Sequence, residues 1–151
     1  MGPGAAGERL TAIVPTVTAS QFHSATYGGG LAQSFSNPTL INVTFSGNSA
    51  SVTGGGGITN DASNPIIVNS ILFGNLGGEI RNFTGSSPQV TYSIVQGGHA
   101  GTGNLNLDPL LGSLENNGGF TQTMALGAGS PAIDAGTNTN CPSTDQRGVS
   151  R

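Results

Sequence analysis

Two aspartates of this chain have a spacing that could support acid–base chemistry on a polysaccharide. By their places in an internal repeat, Asp61 and Asp108 fall two repeats apart, or about 10 Å at the spacing of paired strands. Inverting glycosidases hold their two carboxyls roughly 6.5–9.5 Å apart. Together with Arg81 and Tyr92, these aspartates are the candidate carbohydrate contacts. The interpretation that we favour is that Asp61 ends a strand and Asp108 precedes Pro109 in a turn.

The other reactive side chains do not converge on a recognisable site. His23 and His99 have no carboxylate or cysteine near them in sequence, so no metal site is predicted. The chain has no lysine, which excludes a phosphate-binding loop, and its single cysteine, Cys141, cannot form an internal disulfide. Glu79 and Arg81 are expected to form a surface ion pair on one strand. We therefore predict no catalytic residue, no cofactor and a protein that is not an enzyme.

The composition restricts the partners. The 151 residues are 34% hydrophobic, which is enough for one domain with a modest core. Only 7% are charged and the net charge is -3, so the chain lacks the basic face that nucleic acid or an anionic membrane needs. No apolar run approaches the roughly 20 residues that span a bilayer, so membrane insertion is not predicted. Residues 1–9 lack the features of a signal peptide, so either an export signal was removed or the protein does not use that route.

An internal repeat is the most informative pattern of the chain. Four prolines each precede a large apolar residue by seven positions, and the prolines are 23, 27 and 23 residues apart. A constant internal offset with a slightly elastic period is typical of a solenoid, in which each repeat is one coil that covers its neighbour. The pairs are Pro15 and Phe22, Pro38 and Phe45, Pro65 and Leu72, and Pro88 and Val95.

Each of these prolines opens a short predicted strand rich in β-branched residues, a position that proline tolerates. We predict that one core column points inward, formed by Phe22, Phe45, Leu72 and Val95. Alternation along the strand then turns Ser20, Ser70 and Ser93 inward as well, where their hydroxyls need hydrogen-bond partners. Asn48 and Asn75 follow the core column by three residues and are predicted to form an inner asparagine ladder at a corner.

A second strand is predicted after each corner, where a glycine pair precedes an apolar residue. The apolar residues are Leu31, Ile58 and Ile80. Amide side chains follow two positions later, at Gln33, Asn60 and Asn82. The glycine runs could instead be flexible linkers, but their constant placement favours tight bends in a packed coil.

Coils of this length are too short for a helix with its crossover, so equivalent strands of neighbouring coils should pair in parallel. The predicted fold class is all-β, a right-handed parallel β-helix (solenoid) of about four coils with an irregular C-terminal capping segment. A β-sandwich is the competing fold, but it would not require aligned columns. We assign residues 1–12 to a flexible N-terminal segment, 13–108 to the coils and 109–151 to the capping segment. The fourth coil is weaker and runs through Leu105 and Leu107.

Motifs in the coils and in the tail resemble those of known bacterial proteins. Phe45-Ser-Gly-Asn48 with Gly55-Gly-Gly-Ile58 resembles the F-x-x-N and G-G-A-I motifs of polymorphic outer-membrane-protein repeats. Three tail segments are similar to the C-terminal signature of bacterial surface β-helix proteins called choice-of-anchor Q domain proteins. These are Asp108-Pro-Leu-Leu-Gly-Ser-Leu-Glu-Asn-Asn-Gly-Gly-Phe-Thr-Gln-Thr123, Gly129-Ser-Pro-Ala-Ile-Asp-Ala-Gly136 and Cys141-Pro-Ser-Thr-Asp-Gln-Arg-Gly148. The resemblance covers about residues 38–151 and implies an extracellular or bacterial cell-surface β-helix, usually one module of a longer exported protein, without established catalytic residues.

These observations favour a non-catalytic structural or adhesive extracellular β-helix module. Open strand edges at its ends could pair with a second copy and build filaments. The expected partners are therefore the protein itself or cell-surface glycans. The alternative is a polysaccharide-binding or polysaccharide-cleaving β-helix, similar to lyases or hydrolases. An ice- or mineral-binding surface is disfavoured because Thr16-Val-Thr18 has no stacked copies in the coils.

Overall fold

The computed structural model describes residues 8–11, 16–18, 21–23, 29–50, 54–139 and 141–150, the first three segments only by their backbone. This described part of the chain is all-β, and no helix in it is long and apolar enough to cross a membrane. Its strands are β1 (Glu8–Thr11), β2 (Thr16–Thr18), β3 (Gln21–His23), β4 (Leu31–Ser34), β5 (Thr39–Ile41), β6 (Thr44–Ser46), β7 (Ile58–Asp61), β8 (Ile66–Val68), β9 (Ile71–Phe73), β10 (Ile80–Phe83), β11 (Gln89–Thr91), β12 (Ile94–Val95), β13 (Leu111–Glu115) and β14 (Thr123–Leu126).

Twelve of these strands form three parallel sheets of four strands each. Sheet 1 has the order β1-β4-β7-β10, sheet 2 the order β2-β5-β8-β11, and sheet 3 the order β3-β6-β9-β12. Each coil contributes one strand to each sheet, and every strand pairs in parallel with its equivalent in the next coil. This stacking of coils is compatible with a β-helix-like solenoid. The last two strands, β13 and β14, form a separate antiparallel hairpin.

Sheet 3 aligns the backbone of the core column. Phe22 pairs with Phe45, Phe45 with Leu72, and Leu72 with Val95. The side chains of Phe45 and Leu72 are fully buried and that of Val95 is 2% exposed, whereas the side chain of Phe22 lies outside the described residues. Inward-facing residues of the other strands and corners complete this core, namely Leu31, Leu40, Val43, Ile58, Ile67 and Val90.

A sharp bend divides the strands that the sequence predicts after Pro38, Pro65 and Pro88. The structure has two strands there, in sheets 2 and 3, because Asn42, Asn69 and Tyr92 adopt positive φ angles of 56°, 51° and 49°. Asparagine adopts this left-handed region more readily than most residues, and tyrosine is an unusual residue for it. The sequence prediction of two strands in each coil is therefore wrong, and the coil is three-sided.

Serine hydroxyls satisfy the backbone at this bend. Ser70 Oγ accepts from Val43 N at 3.2 Å, and Ser93 Oγ accepts from Ser70 N at 3.0 Å. The two hydroxyls in turn donate to the carbonyls of Val68 and Thr91. Each buried serine thus links two coils, so a polar residue on the inner face carries no penalty for an unpaired hydroxyl. Ser20, the third predicted inward serine, lies outside the described residues.

The glycine runs mark close approaches between coils. A Cβ atom added at Gly56 would collide with the carbonyl oxygen of Leu76, and one added at Gly57 would collide with the carbonyl oxygen of Glu79. Both glycines are buried. Their backbone therefore packs directly on the next coil, and the linker interpretation is wrong for these positions.

The N-terminal segment differs from its prediction. The sequence predicts a flexible segment over residues 1–12, yet Glu8–Thr11 forms β1 and pairs with β4 along its whole length. The first coil therefore includes Glu8–Thr11, whereas residues 1–7 and 12 lie outside the described residues. The sequence did not indicate this strand because Glu8 and Leu10 stand where the later coils have an apolar residue and an amide.

The fourth coil lacks a described strand in sheet 1 after β12, which the repeat did not predict. After β12 the chain returns directly to sheets 2 and 3, so Tyr92 N donates to Thr102 O and Leu105 pairs in parallel with Ile94. The fourth coil does run through Leu105, but Leu105 lies on sheet 3 and not on sheet 1, where the second predicted strands of the earlier coils lie. Residues 101–106 add one partial rung to sheets 2 and 3 but not to sheet 1. The described end of the coils is therefore uneven, and we call it the stepped end.

Candidate functional site

The structure separates the two aspartates that could have acted as a catalytic pair. Asp61 ends β7 in sheet 1, where its carboxylate accepts hydrogen bonds from Ser34 Oγ in the preceding coil and Thr84 Oγ1 in the next. Asp108 follows the partial rung on sheets 2 and 3, so it does not share the position of Asp61 in the repeat. The prediction that Asp61 and Asp108 share a column is therefore wrong. The two carboxyls do not form the pair that an inverting mechanism needs.

Asp108 has a local role. Its Oδ1 accepts a hydrogen bond from Leu110 N at 2.8 Å, and Leu110 has a positive φ of 50°. A side chain that bonds the backbone two residues ahead is typical of a turn-forming aspartate. The turn interpretation of Asp108 is therefore confirmed.

Arg81 also lies away from Asp108 and Tyr92. Its side chain is exposed on sheet 1, and its guanidinium carbon lies 5.2 Å from the centre of the Phe83 ring. This distance is within the range of a cation–π contact. Of the four candidate carbohydrate contacts, the structure brings only Asp61 and Arg81 onto one sheet.

Tyr92 lines the groove that is the best candidate binding site among the described residues. The groove has a volume of about 810 Å³ and lies between sheet 3, with its bend, and the C-terminal segment. Tyr92 is 37% exposed and stands at the bend, in line with Asn42 and Asn69 of the preceding coils. The coil side of the groove also includes Thr44, Ile71, Ile94 and Leu105, and the tail side includes Asn117, Thr123, Met124, Leu126, Asp134, Thr137, Cys141, Asp145, Gln146 and Arg147.

Two asparagines of the bend hold the tail against the side of the coils. Asn69 donates from Nδ2 to Thr137 O at 2.7 Å and accepts from Thr137 N at Oδ1 at 2.8 Å. One coil earlier, Asn42 Nδ2 donates to Cys141 Sγ at 3.6 Å. These bonds place part of the tail beside the coils, while its role as a cap over the last coil stays a prediction.

An ion pair lies in the groove wall. Arg147 Nη2 and Nε donate to Asp145 Oδ2 at 2.6 and 2.8 Å, and Arg147 Nη1 donates to Asn117 O at 3.0 Å. The hydrogen bonds from Arg147 hold the pKa of Asp145 below its ordinary value, although partial burial opposes them. The ion pair joins the turn that contains Arg147 to the loop before β14. Contacts within the C-terminal segment therefore hold this wall of the groove in place.

Glu79 lies inside the coils and not on the surface. It is 6% exposed, and its carboxylate accepts hydrogen bonds from Asn75 N at 3.1 Å and from Asn75 Nδ2. Asn75 Oδ1 in turn accepts from Asn48 N at 3.0 Å and Asn48 Nδ2 at 2.9 Å. The predicted positions Asn48 and Asn75 thus form part of a buried ladder that Glu79 ends, and the expected surface pair of Glu79 with Arg81 is wrong.

The burial of Glu79 predicts a pH dependence of stability. Desolvation raises the pKa of its carboxyl above the ordinary value of 4.5, although hydrogen bonds from Asn75 and the backbone oppose the shift. The folded chain then binds this proton more tightly than the unfolded chain does. The protonated Glu79 carboxyl therefore contributes stability that is complete below pH 4.5 and is lost as the pH rises through the raised pKa. Urea unfolding between pH 4 and pH 7 should show this decline.

Two variants isolate the contribution of Glu79. Glu79→Gln should remove the decline above pH 4.5, whereas Glu115→Gln, at an exposed position of β13, removes one carboxyl and should leave the decline in place. A free energy of unfolding that rises over this range because of Glu79 would contradict the assignment.

The described residues contain no group of three or more histidine, cysteine or acidic side chains that could hold a metal ion. His99 Nδ1 lies 2.8 Å from Ala100 O in the loop before the partial rung, and the side chain of His23 lies outside the described residues. Cys141 is a free thiol on the groove wall. Within this part of the chain, the groove therefore offers amide, hydroxyl, aromatic and guanidinium groups, together with the carboxylates of Asp134 and Asp145 and the thiol of Cys141.

The chain matches no family model, no curated protein and no solved structure. The sequence reasoning named Tyr92 but missed Asn42 and Asn69, although both stand at the same offset before the core column as Tyr92 does. That shared offset is the signal that could have found them.

Proposed function

We propose that this chain is a right-handed parallel β-helix that serves as a non-catalytic structural or adhesive module. The observation that carries the proposal is the use of its polar side chains as ties within and between coils. Asp61 bonds two neighbouring coils, Glu79 ends a buried ladder and Asp108 stabilises a turn. The right-handed sense follows from the strong preference of parallel crossover connections.

An extracellular or bacterial cell-surface location is part of this proposal. It is supported by the motifs of the coils and tail that resemble bacterial surface β-helix repeats. A surface whose polarity comes from asparagine, serine and threonine, with only 7% charged residues, is consistent with that location. End-to-end filaments would have to form at the stepped end, which does not present three level sheet edges to a second copy.

Glycan binding in the groove is the second candidate function. The partly exposed ring of Tyr92 provides an apolar face, and the asparagine, threonine and arginine side chains of the groove wall provide donors and acceptors. A concave site with a few convergent polar groups is the usual form of a ligand pocket. If the chain is an adhesive module that binds glycans, the groove makes the adhesive contact.

Incubation with a panel of acidic and neutral glycans tests both candidates. We expect no release of cleavage products by the wild-type chain. Product release that disappears in Asp61→Asn or Arg81→Ala would overturn the non-catalytic proposal. If the groove binds glycans, Tyr92→Ala should weaken retention on the bound glycan at least tenfold, because an aromatic contact is lost. Phe83→Ala is the matched control, since its ring is also 37% exposed but lies on sheet 1.

A further inference from the structure

Sheet 1 has an edge without a strand partner among the described residues. Its last strand, β10, pairs with β7 alone, while sheets 2 and 3 continue through the partial rung of residues 101–106. Ile58 N donates to Glu79 O, and alternate residues of a parallel strand bond to opposite neighbours. The backbone groups of Arg81 and Phe83 therefore face β7, and those of Ile80 and Asn82 face away. We call this free side of Ile80–Phe83 the β10 edge.

The inner side chains of sheet 1 form a ladder that stops at this edge. Gln33 Nε2 donates to Asn60 Oδ1, and Asn60 Nδ2 donates to Asn82 Oδ1 at 2.7 Å. Gln33 and Asn60 are 2% and 0% exposed, whereas Asn82 is exposed. In the same direction along the ladder, the Asn82 amide nitrogen is the donor for the next rung. A residue placed there needs a side-chain acceptor.

The apolar row beside this ladder stops at the same place. Leu31 and Ile58 are fully buried, and their register partner Ile80 is only partly buried against the core. An apolar side chain on the next rung would cover Ile80 and continue the row. On the outer face, the guanidinium of Arg81 favours an acidic side chain opposite it.

We propose that the β10 edge binds an extended segment of a partner protein, which adds to sheet 1 as a parallel strand. The segment has the pattern apolar–x–Asn or Gln, with an acidic residue preferred at x. Backbone bonds to Ile80 and Asn82 supply the attachment, and the apolar and amide positions supply the specificity, as in other additions of a strand to a sheet edge.

The chain's own strands are poor occupants of this edge. The strands β4 and β7 have the required pattern, but each is already paired on both sides. The other terminal strand of the sheet, β1, would set Glu8 against Ile80 and Leu10 against Asn82 in the register used throughout sheet 1. A charged residue on an apolar one and an apolar residue on an amide donor are both unfavourable. The occupant is therefore a partner with a better-matched strand.

A labelled peptide tests the proposal on the intact chain. The probe is a fluorescein-labelled peptide with the sequence of residues 55–62, which carries the pattern of β7. The control peptide exchanges its isoleucine and asparagine and so has the same composition. Fluorescence anisotropy should show at least tenfold tighter binding of the probe than of the control. Equal binding of the two peptides, or no binding of either, would overturn the proposal.

Two variants of Asn82 locate the binding. Asn82→Pro removes an N–H that faces the edge and not β7, so it should weaken probe binding at least tenfold while circular dichroism still shows the fold. Asn82→Leu keeps the N–H but removes the amide, so it should reverse the preference at the third position of the pattern from asparagine to leucine. This reversal decides the matter even if the proline variant fails to fold. A dimer in light scattering that Asn82→Pro abolishes would overturn the proposal, since a second copy would then occupy the edge.

Discussion

Phe45→Ala should lower the free energy of unfolding by about 3–5 kcal/mol. The Phe45 side chain is fully buried between coils, in register with Leu72, and it packs so closely on Gly30 that a Cβ there would collide with the ring. Coils held by parallel pairing on both sides can close only part of the cavity that the truncation leaves. Urea unfolding followed by circular dichroism measures the loss.

Thr44→Ala is the matched control for this prediction. Thr44 precedes Phe45 in β6 but faces the groove and is only partly buried. Its truncation should cost well under about 1 kcal/mol, as is usual for a side chain outside the core. Equal losses at the two positions would mean that the facing of sheet 3 is assigned incorrectly.

Asn75→Ala should lower the free energy of unfolding about as much as Phe45→Ala does, by roughly 3–6 kcal/mol. One amide accepts from Asn48 N and Asn48 Nδ2 and donates to Phe45 O and to the Glu79 carboxylate. Alanine removes all four of these bonds at a site where Asn75 is only 8% exposed. Buried polar groups without partners cost about 1–3 kcal/mol each, and more when one is charged.

An exposed asparagine provides the comparison for Asn75. Asn64 Oδ1 accepts from Ser87 N at 2.6 Å and so also links two coils, but the bond is exposed to water. Asn64→Ala should cost less than about 1 kcal/mol, because water replaces the lost partner. If both alanine variants unfold at the same urea concentration, the buried ladder does not stabilise the stack more than an exposed hydrogen bond does.

The interior of the coils contains both apolar and polar side chains. Apolar side chains form rows in all three sheets, while amide and hydroxyl ladders occupy the corners and part of sheet 1. A polar residue is tolerated inside because its equivalent one coil away is a matched partner at the correct distance. Among the described residues the last rung of sheet 1 has no such partner, which explains why the exposed Asn82 defines the chemistry of the β10 edge.

The repeat predicted the parts of the fold that are local to neighbouring coils. Phe45 and Leu72 pair as their shared offset from the prolines indicated, and the second strands begin at Leu31, Ile58 and Ile80 as expected. The three-sided shape was missed because it depends on the left-handed backbone of Asn42, Asn69 and Tyr92 at the bend between sheets 2 and 3. Asn42 and Asn69 are ordinary residues for such a bend, but Tyr92 is not, so composition alone did not mark the position.

Glu79 shows why the candidate site was harder to predict than the fold. A glutamate two residues from an arginine suggests an exposed pair, yet Glu79 precedes β10 at a corner where the chain turns it toward Asn75. The groove depends on contacts between distant residues, such as Asn69 with Thr137 and Asn42 with Cys141. No pattern within one repeat contains that information.

The parallel stacking and its register follow from the sequence, because each row of like side chains repeats at a constant offset and only one alignment buries all rows together. Four features follow only from the packing of the folded chain: the three-sided coil, the strand formed by Glu8–Thr11, the direct return of the chain after β12 and the docking of the tail. These features depend on single backbone angles or on segments that occur once. A unique segment has no equivalent in the chain with which it can be aligned, so its place follows only from the packing of the whole molecule.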